Sequence, residues 1–240
     1  MAEDNSGGSK MSDLPLRILS AIVMVAIAGS ALWLGGWWWT ALVLAVSLGV
    51  LWEWQALVRT SPEQSAISQI LWLLGGAIYV LFAANTLAVT RTFTEAGKAD
   101  AGLFYVALIV GTVIAVDIGA YFFGRALGGP KIAPKISPSK TWAGLLGGAV
   151  GASIVITMTY MLQGVHWSQA MQTGWIAGAL AAVIAQAGDF FESWMKRRAG
   201  VKDSGRIIPG HGGLFDRVDG LLAVCFALGL AHLAVQVLAG

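Results

Sequence analysis

Residues 193–219, SWMKRRAGVKDSGRIIPGHGGLFDRVD, hold six cationic side chains (Lys196, Arg197, Arg198, Lys202, Arg206, Arg217), three carboxylates (Asp203, Asp216, Asp219) and His211. Lysine and arginine supply the charge-assisted donors that phosphate oxygens require. Gly205, Gly210, Gly212 and Gly213, with Pro209 among them, permit tight turns that leave backbone N–H groups able to approach an anion. Basic residues are ordinary in a loop between membrane spans, but such a loop has no use for that glycine series. A second stretch, 124–144, repeats the theme with Arg125, Lys131, Lys135 and Lys140. Its Ser137, Pro138, Ser139 and Thr141 lie just before a predicted helix start, where the helix dipole favours negative charge. The GxxxxGK[ST] pattern of a P-loop is absent. Both stretches therefore point to phosphate chemistry without a P-loop.

The acids need a reason of their own, because an ionised carboxylate in hydrocarbon is expensive. Asp117 falls about two turns from the end of a predicted span, Asp189 and Glu192 close another, and Asp216 and Asp219 precede the last. Acids three apart share one side of a continuous helix, which pairs Asp189 with Glu192, and Asp216 with Asp219 if the last helix starts early enough. Carboxylates with no companion Cys or His suit a hard cation such as Mg²⁺, held together with substrate phosphates. Pairing of the same acids with the neighbouring lysines and arginines is the competing reading.

Elements long enough to position these residues follow from composition. Of the 240 residues, 57% are hydrophobic and only 12% charged, outside the range of a water-soluble globule. About 20 apolar residues span about 30 Å of hydrocarbon, and such runs occur at 14–34, 37–58, 67–89, 101–123, 142–162, 174–191 and 220–238. The expected fold is an all-α, polytopic bundle of about seven transmembrane helices. The polar residues 1–13 read as a disordered tail, and 14–240 as one transmembrane catalytic domain. With the N-terminus inside, 13 basic residues fall on the cytoplasmic side, and only Arg91 and Lys98 fall outside. Retention of Lys and Arg in cytoplasmic loops supports that direction, which places both basic stretches at the cytoplasmic face of the membrane. Trp33, Trp37, Trp38, Trp39, Trp167 and Trp175 are expected to anchor the headgroup level. Glycines at 144, 147, 148, 151, 174 and 178 give spacings that allow close helix approach, within one subunit or between subunits. Cys225 is the only cysteine, so no internal disulfide forms.

The 193–219 stretch resembles the signature of the phosphatidate cytidylyltransferases, the CDP-diacylglycerol synthases. It has a serine, a Lys-Arg pair, Lys-Asp, then Pro-x-His-Gly-Gly and Asp-Arg-x-Asp. DIGAY at 117–121, Gly124, Arg125 and the SPSKTWAG run also resemble the family pattern. The likeness covers the C-terminal half. The first hundred residues, including the WEW at 52–54, match only as hydrophobic helices.

The resemblance implies transfer of the cytidylyl group from CTP to phosphatidate, giving CDP-diacylglycerol and pyrophosphate, with Mg²⁺ required. It leaves a second cation, mono- or divalent, open. Two substrates carrying about six negative charges must be brought together, so neutralisation and alignment dominate. In that scheme Asp189, Asp216 and Asp219, with Asp117 and Glu192, are the metal ligands. Lys196, Arg197, Lys202 and Arg217 offset phosphate charge. Ser193 and Asp203 orient ligands or hold a basic partner, and His211 donates to a phosphate oxygen or shapes the glycine turn. Arg125, Ser137 and Lys140 form the opposite wall. Family likeness also implies a homodimer, and nothing suggests nucleic acid. A related lipid enzyme, of the polyprenol kinase or CDP-archaeol synthase type, would share these residues. A cation- or proton-coupled transporter is disfavoured because the charges gather at one face rather than at the midplane.

Overall fold

The computed structural model describes residues 8–62, 65–94, 100–208 and 212–239. Seven helices are found among them, α1 (Gly8–Leu34), α2 (Gly36–Thr60), α3 (Ala66–Thr92), α4 (Ala101–Leu127), α5 (Trp142–Leu162), α6 (Trp167–Arg198) and α7 (Phe215–Ala239). All seven are long and apolar enough to cross a membrane. Helix α1 starts at Gly8, so residues 8–13, expected in a disordered tail, extend the first helix. Residues 1–7 lie outside the described residues. The break between the first two spans is a turn at Gly35 and Gly36, both with positive φ (62° and 50°), a region that glycine enters without a steric penalty. Arg91, from the end of α3, donates through Nε to the Leu32 carbonyl at 2.9 Å, placing a cation at the negative end of α1.

Helix α6 departs most from the apolar-run boundaries. Its 32 residues reach about 48 Å, well beyond the hydrocarbon thickness, and the surplus carries Asp189, Glu192, Ser193, Lys196 and Arg197. It stops at Gly200 (φ 69°), where Gly200 N donates to Arg197 O and Val201 N to Lys196 O, a glycine-terminated cap. Between α4 and α5 the basic stretch forms an antiparallel hairpin, β1 (Lys131–Ala133) and β2 (Ser137–Thr141), with Lys131 opposite Thr141 and Ala133 opposite Ser137. Thr141 then caps α5, its Oγ1 accepting from Gly144 N at 3.0 Å.

The glycine spacings act inside one subunit. Gly147 and Gly151 on α5 lie against the α4 backbone at Gly119 and Ala115, while Gly174 and Gly178 on α6 lie against Ser153 and Thr157 of α5. A second core ties α2, α3, α6 and α7 together around Trp54, which is 2% exposed and has ring centroids 5.6 Å from both Phe191 and Phe215. Its Nε1 donates to Trp72 O at 3.0 Å. Trp33, Trp37 and Trp38 are exposed, as membrane anchors would be, but Trp39 is buried and reaches Leu87 O through Nε1 at 3.4 Å, so it belongs to the core.

Candidate active site

The C-terminal ends of α2, α4 and α6, the β1–β2 hairpin and the N-terminal end of α7 meet at one end of the bundle. Helix periodicity sets the α6 residues in a row, since 189, 192, 193 and 196 follow the spacing of one helix face. Lys196 occupies the centre, its Nζ lying 2.6 Å from Glu192 Oε2 and 2.6 Å from Asp216 Oδ1. Asp216 is fully engaged, because its Oδ2 also accepts from Gly213 N (2.9 Å), Ser204 N (3.0 Å) and Ser204 Oγ (3.0 Å). As an acid in the first turn of α7 it also sits at the favourable end of that helix dipole.

Lys140 reaches from β2 to form an ion pair with Asp189, so the hairpin does face the α6 acids. Burial pushes the Lys140 ammonium below its ordinary pKa, and Lys196 adds to that depression, while Asp219, Asp117 and Glu192 act to raise it. Beside this pair lies a cavity of about 360 Å³, whose polar lining includes Asp117, Arg125, Ser139, Lys140, Thr141 and Gln186. Arg125 is exposed and donates to the Tyr121 hydroxyl at 3.1 Å. Ser137 is buried within β2. Arg197 Nε donates to Ile136 O at 3.4 Å, joining α6 to the hairpin turn. Asp219 Oδ1 accepts from Gly220 N at 2.9 Å, and Asp189 Oδ1 lies close to Gly220, so both acids border the same turn of α7. Ser193 is half-buried, Lys202, Asp203 and Arg217 are exposed, and Asp203 stands beside Gly212. His211 lies outside the described residues.

All the acids offer oxygen donors only, and Glu192 Oε1 is buried without a partner, so their chemistry suits a hard cation. Among the described residues no three acidic, cysteine or histidine side chains gather closely enough to hold one. Lys140 and Lys196 provide the countercharge in this arrangement.

Glu53 of α2 is a buried acid at this end of the bundle that the motifs do not mark. It is 2% exposed and accepts from Leu214 N at 2.9 Å, Phe215 N at 2.8 Å and Ser204 Oγ at 2.9 Å. An acid within an apolar span was the available signal.

Residues 15–96 and 74–237 match the cytidylyltransferase family. The chain belongs to that family. Among other cytidylyltransferases, a phosphatidate cytidylyltransferase of Brucella suis biovar 1 (strain 1330) is 36% identical over 91% of this chain and 93% of its own. One from Rickettsia bellii (strain RML369-C) is 36% identical over 88% and 87%. One from Haemophilus influenzae (strain ATCC 51907 / DSM 11121 / KW20 / Rd) is 37% identical over 78% of this chain and 62% of its own. The family match extends through the N-terminal helices, which gives the first hundred residues a place in the family that motifs alone do not provide.

Proposed function

We propose that this chain transfers the cytidylyl group of CTP to phosphatidate, releasing pyrophosphate and forming CDP-diacylglycerol. The observation that carries this reading is the convergence of Lys140–Asp189 and Glu192–Lys196–Asp216 at one end of a membrane bundle. The names of the relatives support the choice of substrates.

A phosphate monoester with a second pKa near 6 is largely dianionic at neutral pH, so phosphatidate needs no dedicated base. Its oxygen attacks the α-phosphorus of CTP, the new P–O bond forms, and the bond to the β-phosphate oxygen breaks as pyrophosphate departs. The work left to the protein is charge neutralisation and in-line alignment. Lys196 and Lys140, each already held by carboxylates, turn their remaining N–H groups to phosphate oxygens. Arg197, Lys202 and Arg217 add charge at the rim, Arg125 and Ser137 form the hairpin side, and His211 donates to a phosphate oxygen. Ser193 and Asp203 orient these groups. Asp189, Asp216 and Asp219, with Asp117 and Glu192 beside them, would hold Mg²⁺ and any second cation only jointly with substrate phosphates, since no three described acids gather closely enough to do so alone, and the cations would supply further neutralisation of the triphosphate when bound. The site faces the cytoplasm of a bacterial-type inner membrane, where CTP is available, and the enzyme works as a homodimer.

The test is a purified-protein assay with radiolabelled CTP and phosphatidate. Pyrophosphate release that needs both phosphatidate and Mg²⁺ is expected, abolished by chelation and restored by added Mg²⁺. Asp189→Asn and Asp216→Asn should each lose at least about a hundredfold in turnover while remaining folded in detergent. Retained activity in either variant removes that residue from its role, and release of CDP instead of pyrophosphate would indicate a kinase.

A further inference from the structure

Glu53 is a buried acid in a membrane helix whose carboxylate takes no part in the reaction described above. It accepts the Leu214 and Phe215 amides, which are among the donors that a helix leaves unpaired at its N-terminus, and it lies at the positive end of the α7 dipole. Helix α7 is therefore capped by a carboxylate from α2, across a sequence separation of 162 residues. Ser204 Oγ lies 2.9 Å from Glu53 Oε2 and 3.0 Å from Asp216 Oδ2, so one hydroxyl proton is shared between the α2 acid and a site acid. A side chain at Gly205 or Gly213 would run into the Glu53 carboxylate. Two glycines of the basic loop thus do allow the backbone to approach an anion, and that anion is the protein's own.

We infer that Glu53 is a positioning residue. It ties Ser204 to Leu214 and Phe215 at the start of α7 and so fixes Asp216 in register with Lys196 and Glu192. The inference rests on the proposed reaction for its activity readout only. Neutral glutamine in place of Glu53 keeps the shape but presents an N–H₂ group to one of two backbone N–H donors. Alanine in place of Ser204 removes the bridge and leaves both carboxylates.

The experiment compares full-length wild type, Glu53→Gln, Ser204→Ala and the double variant in detergent. It measures kcat and KM for CTP and phosphatidate, and the rate of tryptic cleavage after Lys202 and Arg206, both exposed. For Glu53→Gln we expect kcat to fall roughly ten- to a hundredfold with KM changed less than about threefold, as lost alignment predicts. Loop cleavage should be roughly tenfold faster, because local opening governs proteolysis. Ser204→Ala should move both readouts the same way by less, and the double variant should lose less than the product of the two single losses. Unchanged kcat, loop cleavage at the wild-type rate, or losses that simply multiply would each overturn the inference. Should Glu53→Gln fail to fold, Ser204→Ala decides alone, by lowered kcat at wild-type thermal stability or by wild-type values of both readouts. Should wild type show no cytidylyl transfer, the proposed reaction fails, whereas the cleavage rates still support the clamp if faster and overturn it if unchanged.

Discussion

Lys140 and Lys196 compensate the site acids from opposite sides, one from the hairpin and one from α6, but Lys140 is the one whose charge burial threatens. The folded protein favours its neutral amine relative to the unfolded chain. Between its lowered pKa and the ordinary lysine value, the unfolded chain thus binds more protons, and Lys140's contribution to stability rises with pH across that window. Activity has the opposite sign, since the ammonium that meets phosphate is being lost. Turnover is therefore expected to decline on the alkaline side at lower pH than an ordinary lysine would give. Lys140→Arg, with a guanidinium that stays charged, should carry the decline to higher pH; identical alkaline limbs in the two pH–rate profiles would remove Lys140 from this role. At this scale the sequence reveals Lys140, Asp189, Lys196 and Asp216 because they sit in dense polar runs with helical spacing. It does not reveal Glu53, a lone acid between two tryptophans whose hydroxyl partner, Ser204, lies 151 residues away. The choice between metal-held and lysine-held acids was equally closed to the sequence, because both readings use the same residues.

Helices α4, α5 and α6 pack through glycines, so their mutual distance depends on side chains that are missing rather than present. A Cβ on Gly151 would stand 2.5 Å from the Ala115 carbonyl oxygen, whereas one on Gly111 meets nothing within 4 Å. Gly151→Val should cost about 1–3 kcal/mol through overpacking, a fall in Tm of roughly 2–10 °C, with Gly111→Ala near wild type; thermal scans in detergent provide the comparison, and equal Tm values would discard the close α4–α5 contact. The number of spans was legible because apolar run length is a local property. The far end of α6 was not, because Glu192, Met195, Lys196 and Arg197 continue a helix by propensity after hydropathy has stopped marking it. The hairpin stayed hidden for a different reason. Pro134 and Pro138 interrupt it, its strands are too short to show alternation, and the contacts that hold it come from α6.

Across the whole molecule, polarity is distributed by end. The ion-paired acids and lysines lie where α6 finishes and α7 begins, and the opposite end shows Arg91 spent on the α1 carbonyls. An asymmetry of 13 basic residues against two supports the proposed direction of insertion under the positive-inside rule, the direction that would give the site access to nucleotide. Single-cysteine labelling tests it directly, because the native Cys225 is 1% exposed and should stay silent. Arg206→Cys, in the exposed part of the basic loop, should react with a membrane-impermeant maleimide in inside-out vesicles and resist it in intact spheroplasts. Gln163→Cys, exposed at the end of α5 away from the site, should show the reverse. Labelling of Arg206→Cys from outside the cell would place the two lysines, and the acids they hold, on the wrong side of the membrane for CTP, and the cytoplasmic reaction proposed above would fall with it.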